Sequence, residues 1–276
     1  MARALRLGNP LEIIEEQVTS SAASLAFLSL PAKDFGAVEA SATLLQKATT
    51  LAPTSASYML NYVHTLEVLL DYQRGFEATK KFLRDNKELS VGGVTCANIL
   101  EILEGVKKLE ALRGVAADYP RPTPKRPCSP TEVFSDADLD LLALYSTIIK
   151  ISYIVGALAV IAPLERLLGP LREGRDLHTT SIRNENAYHS CISLLMPFHT
   201  LPLHLERETI YVCGDSHCTT LAWQTVTVRD TQYLLRPLLV TGMKVWHLRP
   251  ESDFYPKVQF YNSMKTSKPL PLSPLP

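Results

Sequence analysis

The chain has 276 residues, of which 46% are apolar, and its 28 Lys and Arg residues balance its 28 Asp and Glu residues. A chain of this length can bury a sizeable core, either as one large domain or as two small ones. Zero net charge gives no electrostatic support for nucleic-acid binding or for attraction to an anionic membrane surface, so we expect neither kind of partner.

Cysteine usage and hydropathy both predict a cytoplasmic protein. The five cysteines are few, odd in number and scattered, which fits a reducing compartment better than a disulfide framework. Arg3 and Arg6 are followed by acidic residues before any apolar run, so no secretory signal is expected.

The most apolar stretch, residues 141–168, is interrupted by Lys150, and its uninterrupted part is too short to span a bilayer. We expect a buried helix or helix pair there.

Apolar residues at spacings of three and four predict helices through residues 10–112. The first apolar face consists of Leu11, Ile13, Ile14 and Val18. A second helix is expected over residues 35–51 and ends before Pro53, because the residue before a proline disfavours the α region. Ser55 is expected to cap a third helix. The apolar stripe of that third helix is Tyr58, Tyr62, Leu66 and Leu70.

Residues 22–86 resemble tetratricopeptide repeats. The pattern is Leu45-x-x-Ala48-x-x-x-x-Pro53, followed by residues 58–70 as a first helix and residues 76–83 as a second. This family repeats a helix pair of about 34 residues, with small residues where helices cross and a proline at the repeat end. Ser41 and Val63 stand where the family usually has Ala and Gly. The resemblance implies at most two degenerate repeats and a role in protein binding; a plain bundle of helical hairpins remains an alternative.

Residues 119–130 carry five prolines and are the predicted linker within a helical region that spans residues 1–205. Ser135 is expected to cap the next helix. Gly156 and Pro163 are expected to divide the following apolar stretch into two helices. Three arginines in the polar stretch after it form either an anion clamp or ordinary ion pairs, of which the second is favoured: Arg172, Arg175 and Arg183.

A small α/β unit is expected over residues 206–264. The expected elements are a strand at residues 210–213, a helix at 219–225 and strands at 234–240 and 243–248. Gly214 bounds the first strand, and Gly242 separates the last two. Pro237 makes its strand an edge strand or breaks it. Strand, tight turn, helix and strand in this order are the opening of an α/β unit with a parallel sheet.

This unit resembles the first block of the SGNH (GDSL-type) hydrolases, because Gly214-Asp215-Ser216 directly follows an apolar strand. The resemblance implies that Ser216 is a nucleophile at a strand-to-helix turn and that its backbone N–H belongs to an oxyanion hole. Gly214 and Asp215 complete that turn, and Gly242 matches the second-block glycine. The family's Gly-x-Asn-Asp and Asp-x-x-His blocks are absent, which leaves His247 as the histidine beyond the motif. A serine without an adjacent base is a poor nucleophile, so catalysis is not expected.

Two metal sites are alternative interpretations. Gly214-Asp215-Ser216-His217 also resembles the opening of the metallophosphoesterases, which implies Asp215 and His217 as ligands, but the further blocks of that family are absent. A soft-metal site would have Cys213, His217 and Cys218 as ligands, with Cys191 or His189 as the fourth. No Cys-x-x-Cys spacing supports such a site. We expect no metal and no cofactor.

Residues 265–276 are a Pro-rich tail that we expect to be disordered. Residues 268–274 fit the spacing of an SH3 ligand in polyproline II form, a pattern that is also common by chance. The 60 residues after Ser216 provide room for two or three strands, and not for a complete doubly wound sheet. The α/β unit is therefore either degenerate or part of a shortened form of a longer protein, for example through alternative splicing.

Together these patterns predict a mainly α protein, with a helical-hairpin, tetratricopeptide-like array and a small C-terminal α/β unit. The expected function is protein–protein interaction through the helical part. The alternative is a serine hydrolase that acts on an ester or acyl group through Ser216.

Overall fold

Helices make up most of the structure, a computed structural model that describes residues 21–109, 133–199 and 208–265. The helices are α1 (Ala22–Asp34), α2 (Val38–Leu51), α3 (Ala56–Val68), α4 (Tyr72–Asp85), α5 (Cys96–Leu109), α6 (Asp136–Val155), α7 (Ile161–Arg172), α8 (Arg183–Leu195) and α9 (Tyr255–Lys265). The strands are β1 (Ser90–Val91), β2 (Val94–Thr95), β3 (Glu208–Gly214), β4 (Thr225–Val228) and β5 (Thr231–Leu239). The expected apolar face at residues 11–18, the Pro-rich linker and the Pro-rich tail lie outside the described residues.

Local capping signals determine where several helices begin and end. The Ser55 hydroxyl accepts a hydrogen bond from the backbone N–H of Tyr58, which caps α3 as expected. Ser135 and Asp138 form a reciprocal capping box at the start of α6. Gly156 ends α6 in the left-handed conformation, with φ +84°. These three predictions are confirmed.

Helices α1 to α5 pack in chain order, each against the next. Ala48 of α2 is fully buried. Gly75 of α4 faces α3, because a Cβ atom at this glycine would lie 3.8 Å from both Val63 Cγ1 and Leu66 Cβ. The two helices therefore approach closely at a small residue. Pro31 lies inside α1 and does not end it.

Helix α6 is buried around almost its whole circumference and packs against α3, α4, α7 and α8. A helix that is apolar on every side is a core helix. This confirms the buried helix pair expected over residues 141–168, with α7 as the second member. Within the described residues, no helix is long and apolar enough to cross a membrane.

Three strands form the C-terminal sheet in the order β3-β5-β4, with β3 parallel and β4 antiparallel to β5. The helix expected at residues 219–225 is wrong: a 3-10 helix, Ser216–Leu221, precedes β4. Its threonines favour extended backbone, which explains the difference. The strand expected at residues 243–248 is also wrong, since Val245–Leu248 is a 3-10 helix. Helix α9, which follows it, was not predicted.

Pro237 lies in β5, the middle strand, beyond the point where the pairing of β5 with β4 ends. Leu235 N–H points to the β4 side, where it donates to the Gln224 carbonyl. Alternate residues point the same way, so Pro237 faces that side too. The β4 pairing ends at Leu234, and the absent N–H of Pro237 therefore removes no ladder bond. The expected edge or broken strand is therefore wrong: β5 is the unbroken middle strand, and it accommodates Pro237 because its pairing with β4 ends before this residue.

One buried core crosses the expected boundary near residue 205. Trp223, Leu234 and Leu239 belong to the same buried cluster as the core of α6. Trp223 Nε1 donates to the Tyr153 carbonyl at 2.5 Å, and the Tyr153 hydroxyl donates to the Thr219 carbonyl at 3.0 Å. The sheet therefore lies directly on the helical part.

Gln259 of α9 also connects the sheet to the helical part, through hydrogen bonds of its side-chain amide. Its side-chain oxygen accepts from Thr241 N at 3.1 Å, and its Nε2 donates to the carbonyls of Glu67 and Leu239 at 3.2 and 3.0 Å. Gln259 is fully buried, so this one amide joins α9, the end of β5 and α3.

Candidate functional site

The parallel strands β3 and β5 end at the same edge of the sheet. Val240 N donates to the Gly214 carbonyl at 2.8 Å, which brings the residues after β3 next to those after β5. Ligands of open α/β sheets bind at this carboxyl edge. Ser216 and Gly242 both lie there, each on the loop that leaves its strand. Gly242 has φ +67°, and a Cβ atom there would lie 3.6 Å from the Tyr255 hydroxyl.

Asp215 organises the turn that follows β3. Its Oδ1 accepts from His217 N at 3.0 Å and lies 2.9 Å from His217 Nδ1. These two hydrogen bonds, the backbone one first, lower the pKa of Asp215. A Cβ atom at Gly214 would approach Cys218 Cβ to 3.3 Å, so a larger residue there would require Cys218 to shift slightly. The Gly-Asp-Ser-His sequence therefore forms a capped turn.

The Ser216 hydroxyl is exposed and has no hydrogen bond to a histidine of the described chain. The nearest histidine in sequence, His217, is held by Asp215, and its side chain is 89% exposed. His247 is buried, accepts a hydrogen bond from Lys244 N at 3.1 Å and packs on Phe254. Neither arrangement activates a serine by the usual hydrogen bond to a base.

Metal-binding side chains do not gather in the described part of the chain, where no group of three or more His, Cys, Asp or Glu is placed to hold an ion. Asp215 and His217 touch each other. His189 belongs to a different cluster, described below. Burial raises the pKa of the Cys218 thiol to about 12, so it is protonated and a poor ligand at neutral pH.

A buried ion pair that the sequence did not predict lies behind this edge. Lys150 Nζ of α6 is 2.9 Å from Glu67 Oε2 of α3, and both side chains are 5% exposed. His64 Nε2 lies 3.3 Å from Thr147 Oγ1, 3.7 Å from Glu185 Oε1 and 3.9 Å from Glu67 Oε2. We call these five residues the Glu67 cluster. In the sequence, this cluster is indicated only by Glu67 and Lys150, each of which is a single charged residue within an apolar stretch.

Burial dominates the ionisation of the Glu67 cluster. It raises the pKa of Glu67, an effect that Lys150 opposes. Burial also lowers the pKa of His64 well below its usual value, and the charges of Lys150 and Lys33 lower it further. His64 is therefore neutral at physiological pH. The Tyr188 ring lies 5.0 Å from Lys150 Nζ, and the Tyr188 side chain hydrogen-bonds Thr241, so this cluster reaches the carboxyl edge.

A second polar chain has the order of a catalytic triad but lies inside the core. Ser146 Oγ is 3.0 Å from His189 Nδ1, and His189 Nε2 is 3.0 Å from Glu165 Oε1. Ser146 and His189 are 2% and 0% exposed. A substrate cannot reach a serine buried to this extent, so this chain of contacts is structural. Nearby, Arg172 donates hydrogen bonds to the neutral side chains of Asn186 and Ser190.

The outward surface of α1 carries several exposed apolar side chains. Its exposed positions are Ala23, Phe27, Leu28, Leu30, Pro31 and Asp34, most of them at spacings of three and four. Phe27 is 72% exposed and Leu30 is 45% exposed, while Phe35, just past the helix, is 78% exposed. We call this surface the α1 outer face. Contiguous exposed apolar surface is a common property of protein interaction sites.

No protein-family model matches this chain, and no curated protein and no solved structure matches it significantly.

Proposed function

We propose that this protein is an interaction scaffold whose helices α1 to α4 bind a protein partner. Each of these helices has 13 or 14 residues, and each packs against its neighbour in chain order. Buried Ala48 and the close approach at Gly75 support the tetratricopeptide-like interpretation, because such repeats have small residues where helices cross. Stacked helical hairpins present extended binding surfaces, which is the basis of the proposal.

The observation that carries the proposal is the α1 outer face. Repeat arrays usually present a polar outer surface, since an apolar one leads to association. Here Phe27 and Leu30 repeat at helical spacing toward solvent. A partner helix with apolar residues at intervals of three and four fits such a stripe. Exposed Asp34, at the end of the stripe, favours a basic side chain at the matching end of that helix.

The experiment compares the full chain with Phe27→Glu and with Leu194→Glu as a matched control. Leu194 is 74% exposed on α8, so its substitution adds the same charge on a different helix. Proteins retained by the parent chain are identified, purified and measured for direct binding. We expect Phe27→Glu to weaken binding at least tenfold and Leu194→Glu to leave it unchanged. Equal binding by all three chains would refute the α1 outer face as the binding surface.

A serine hydrolase is the second candidate, favoured by one observation. Ser216 is exposed at the carboxyl edge of a parallel strand pair, where α/β enzymes hold their nucleophile. Fluorophosphonate labelling of the folded chain and of Ser216→Ala tests it. Labelling that Ser216→Ala removes would establish an activated serine. Without labelling, the Asp215 turn would be structural.

A cytoplasmic location is part of the proposal. Cys96, Cys191, Cys213 and Cys218 are free thiols, as expected for a reducing compartment. Imaging of the tagged chain together with compartment markers tests this location. Signal confined to an oxidising compartment would contradict it.

A further inference from the structure

The strand β3 forms one edge of the C-terminal sheet. Among the described residues it pairs with β5 alone, in an unbroken parallel register from Glu208 to Gly214. Natural edge strands are usually protected against further pairing by bulges, by proline or by charged side chains, especially lysine. Residues 209–213 have none of these devices: they are Thr, Ile, Tyr, Val and Cys, mostly residues that favour strands. Nothing between Glu208 and Gly214 therefore opposes the addition of another strand.

Every second residue of β3 directs its backbone groups away from β5. The Gly214 carbonyl accepts from Val240 N at 2.8 Å and therefore points toward β5. Because the direction of the backbone groups alternates along a strand, Thr209, Tyr211 and Cys213 point out of the sheet. Within the described residues, the backbone N–H and C=O groups of these three form no hydrogen bond. The edge thus presents alternating donors and acceptors that still need partners.

These groups match a second copy of the same strand. In an antiparallel pair, two directly opposite residues exchange both N–H···O bonds, and every second residue along the strand does so. When two copies of β3 run antiparallel with Tyr211 opposite Tyr211, Thr209 of each copy lies opposite Cys213 of the other. The three outward residues of one copy then meet those of the other, and every donor finds an acceptor across a two-fold axis.

The side chains fit this register as well. Ile210 of one copy lies opposite Val212 of the other, which forms a pair of β-branched side chains on each side of the axis. Ile210 is 36% exposed, so this contact removes apolar surface from water. The two Tyr211 side chains are neighbours on the other face. A shift of the register by two residues would leave one outward residue of each copy without a partner in β3.

The opposite edge of the sheet explains why such an assembly ends with two copies. The strand β4 also has only β5 as its neighbour, but it is only four residues long, Thr225–Val228. Very short edge strands resist further pairing. Pairing through β3 therefore gives a continuous sheet of six strands in the order β4-β5-β3-β3-β5-β4, with a short strand at each end.

We propose that this protein forms a homodimer in which two copies of β3 pair antiparallel about Tyr211. This surface is separate from the α1 outer face, so the dimer does not depend on the proposed function. A strand of seven residues is about 23 Å long. An interface built on one such edge belongs to the small class that associates weakly, so the dimer forms in a concentration-dependent way.

Sedimentation equilibrium of the full chain tests the dimer, with Tyr211→Pro and Thr227→Pro as a matched pair. Tyr211→Pro removes an outward N–H at the two-fold axis and keeps every hydrogen bond to β5. Thr227 lies opposite Gln232, whose backbone faces β3 as that of Val240 does, so Thr227→Pro removes an outward N–H from the opposite edge. We expect only Tyr211→Pro to raise the dissociation constant of the dimer, at least tenfold. Equal constants for the two variants, or a parent chain that is still monomeric at about 1 mM, would overturn the proposal.

Two further variants separate this dimer from a folding defect and from the scaffold. Ile210→Lys introduces the residue that protects natural edge strands and leaves the backbone unchanged, so it should weaken the dimer at least tenfold even if Tyr211→Pro does not fold. Phe27→Glu alters the α1 outer face and should leave the dimer intact. A dimer that Phe27→Glu abolishes and Ile210→Lys preserves would place the association on the α1 outer face and overturn the pairing of β3.

Disulfide formation tests the register. Thr209→Cys places a thiol opposite the native Cys213 of the second copy, and the Cα atoms of such a pair are about 5.5 Å apart, which a disulfide can span. Within one chain these two positions are about 13 Å apart, so a 209–213 link must join two copies. The control is Thr227→Cys on the opposite edge. Under mild oxidation with oxidised glutathione, we expect the 209–213 link to form at least tenfold faster than a 227–213 link between copies. Equal rates, or no 209–213 link, would overturn the proposed register.

Discussion

Replacing Gly156 by Ala should destabilise the contact between the sheet and the helices. Gly156 ends α6 with φ +84°, a conformation that costs an L residue about 1–2 kcal/mol. A Cβ atom there would lie 2.9 Å from Trp223 Cη2 and 3.1 Å from Trp223 Cζ2. Trp223 is 4% exposed and its Nε1 is held by the Tyr153 carbonyl, so it cannot withdraw freely. Overpacking of this kind costs about 1–3 kcal/mol. The total loss is about 2–5 kcal/mol.

Chemical denaturation followed by tryptophan emission measures this loss. The chain has two tryptophans, and a Trp246→Phe background leaves Trp223 as the reporter. Gly169→Ala is the matched control: it lies inside α7 with nothing within 4 Å of its Cβ position, so it should stabilise the protein by about 0.5–1 kcal/mol. A loss below about 1 kcal/mol for Gly156→Ala, with unchanged Trp223 emission, would refute the described contact.

Three further predictions concern the same core and its loops. Gln259→Leu removes the hydrogen-bond partner of Thr241 N–H and of the Leu239 carbonyl, and should cost about 2–5 kcal/mol in the free energy of unfolding; a cost under about 1 kcal/mol would contradict these hydrogen bonds. Lys257 Nζ donates to three carbonyls at 2.8–3.0 Å, so Lys257→Met should speed hydrogen exchange in residues 249–253 while α6 exchange stays unchanged. Burial lowers the pKa of His64 and of His189, so the unfolded chain binds more protons below their usual value of 6.5. Stability should therefore fall as pH decreases from 7.5 to 5.5, and less steeply in His189→Gln; a rise in this window would contradict the assignment.

The sequence predicts features that depend on a few neighbouring residues. Ser55, Ser135 and Gly156 act through hydrogen bonds or dihedral angles within one turn, and all three lie where expected. Helix α9 was missed, because its buried side depends on contacts with distant elements. Gln259 pairs with Glu67, far away in the sequence, and no local pattern shows such a pairing.

The candidate site divides in the same way. The turn at Asp215 could be predicted from adjacent residues, and the strand before it is confirmed as β3. The Glu67 cluster could not, because its members come from three helices that are separate in sequence. The sequence indicates the Glu67 cluster only through isolated charged residues in apolar stretches, such as Lys150. A buried charge needs a partner, and the identity of that partner is decided by packing.

The position of Trp223 has a practical consequence for dividing the chain. A fragment cut after residue 205 would keep every helix from α1 to α8. It would also lose the indole that fills the space against Gly156 and Tyr153, together with Gln259 against α3. The remaining surface would be an exposed apolar depression. Recombinant work on the helices should therefore retain residues through 265.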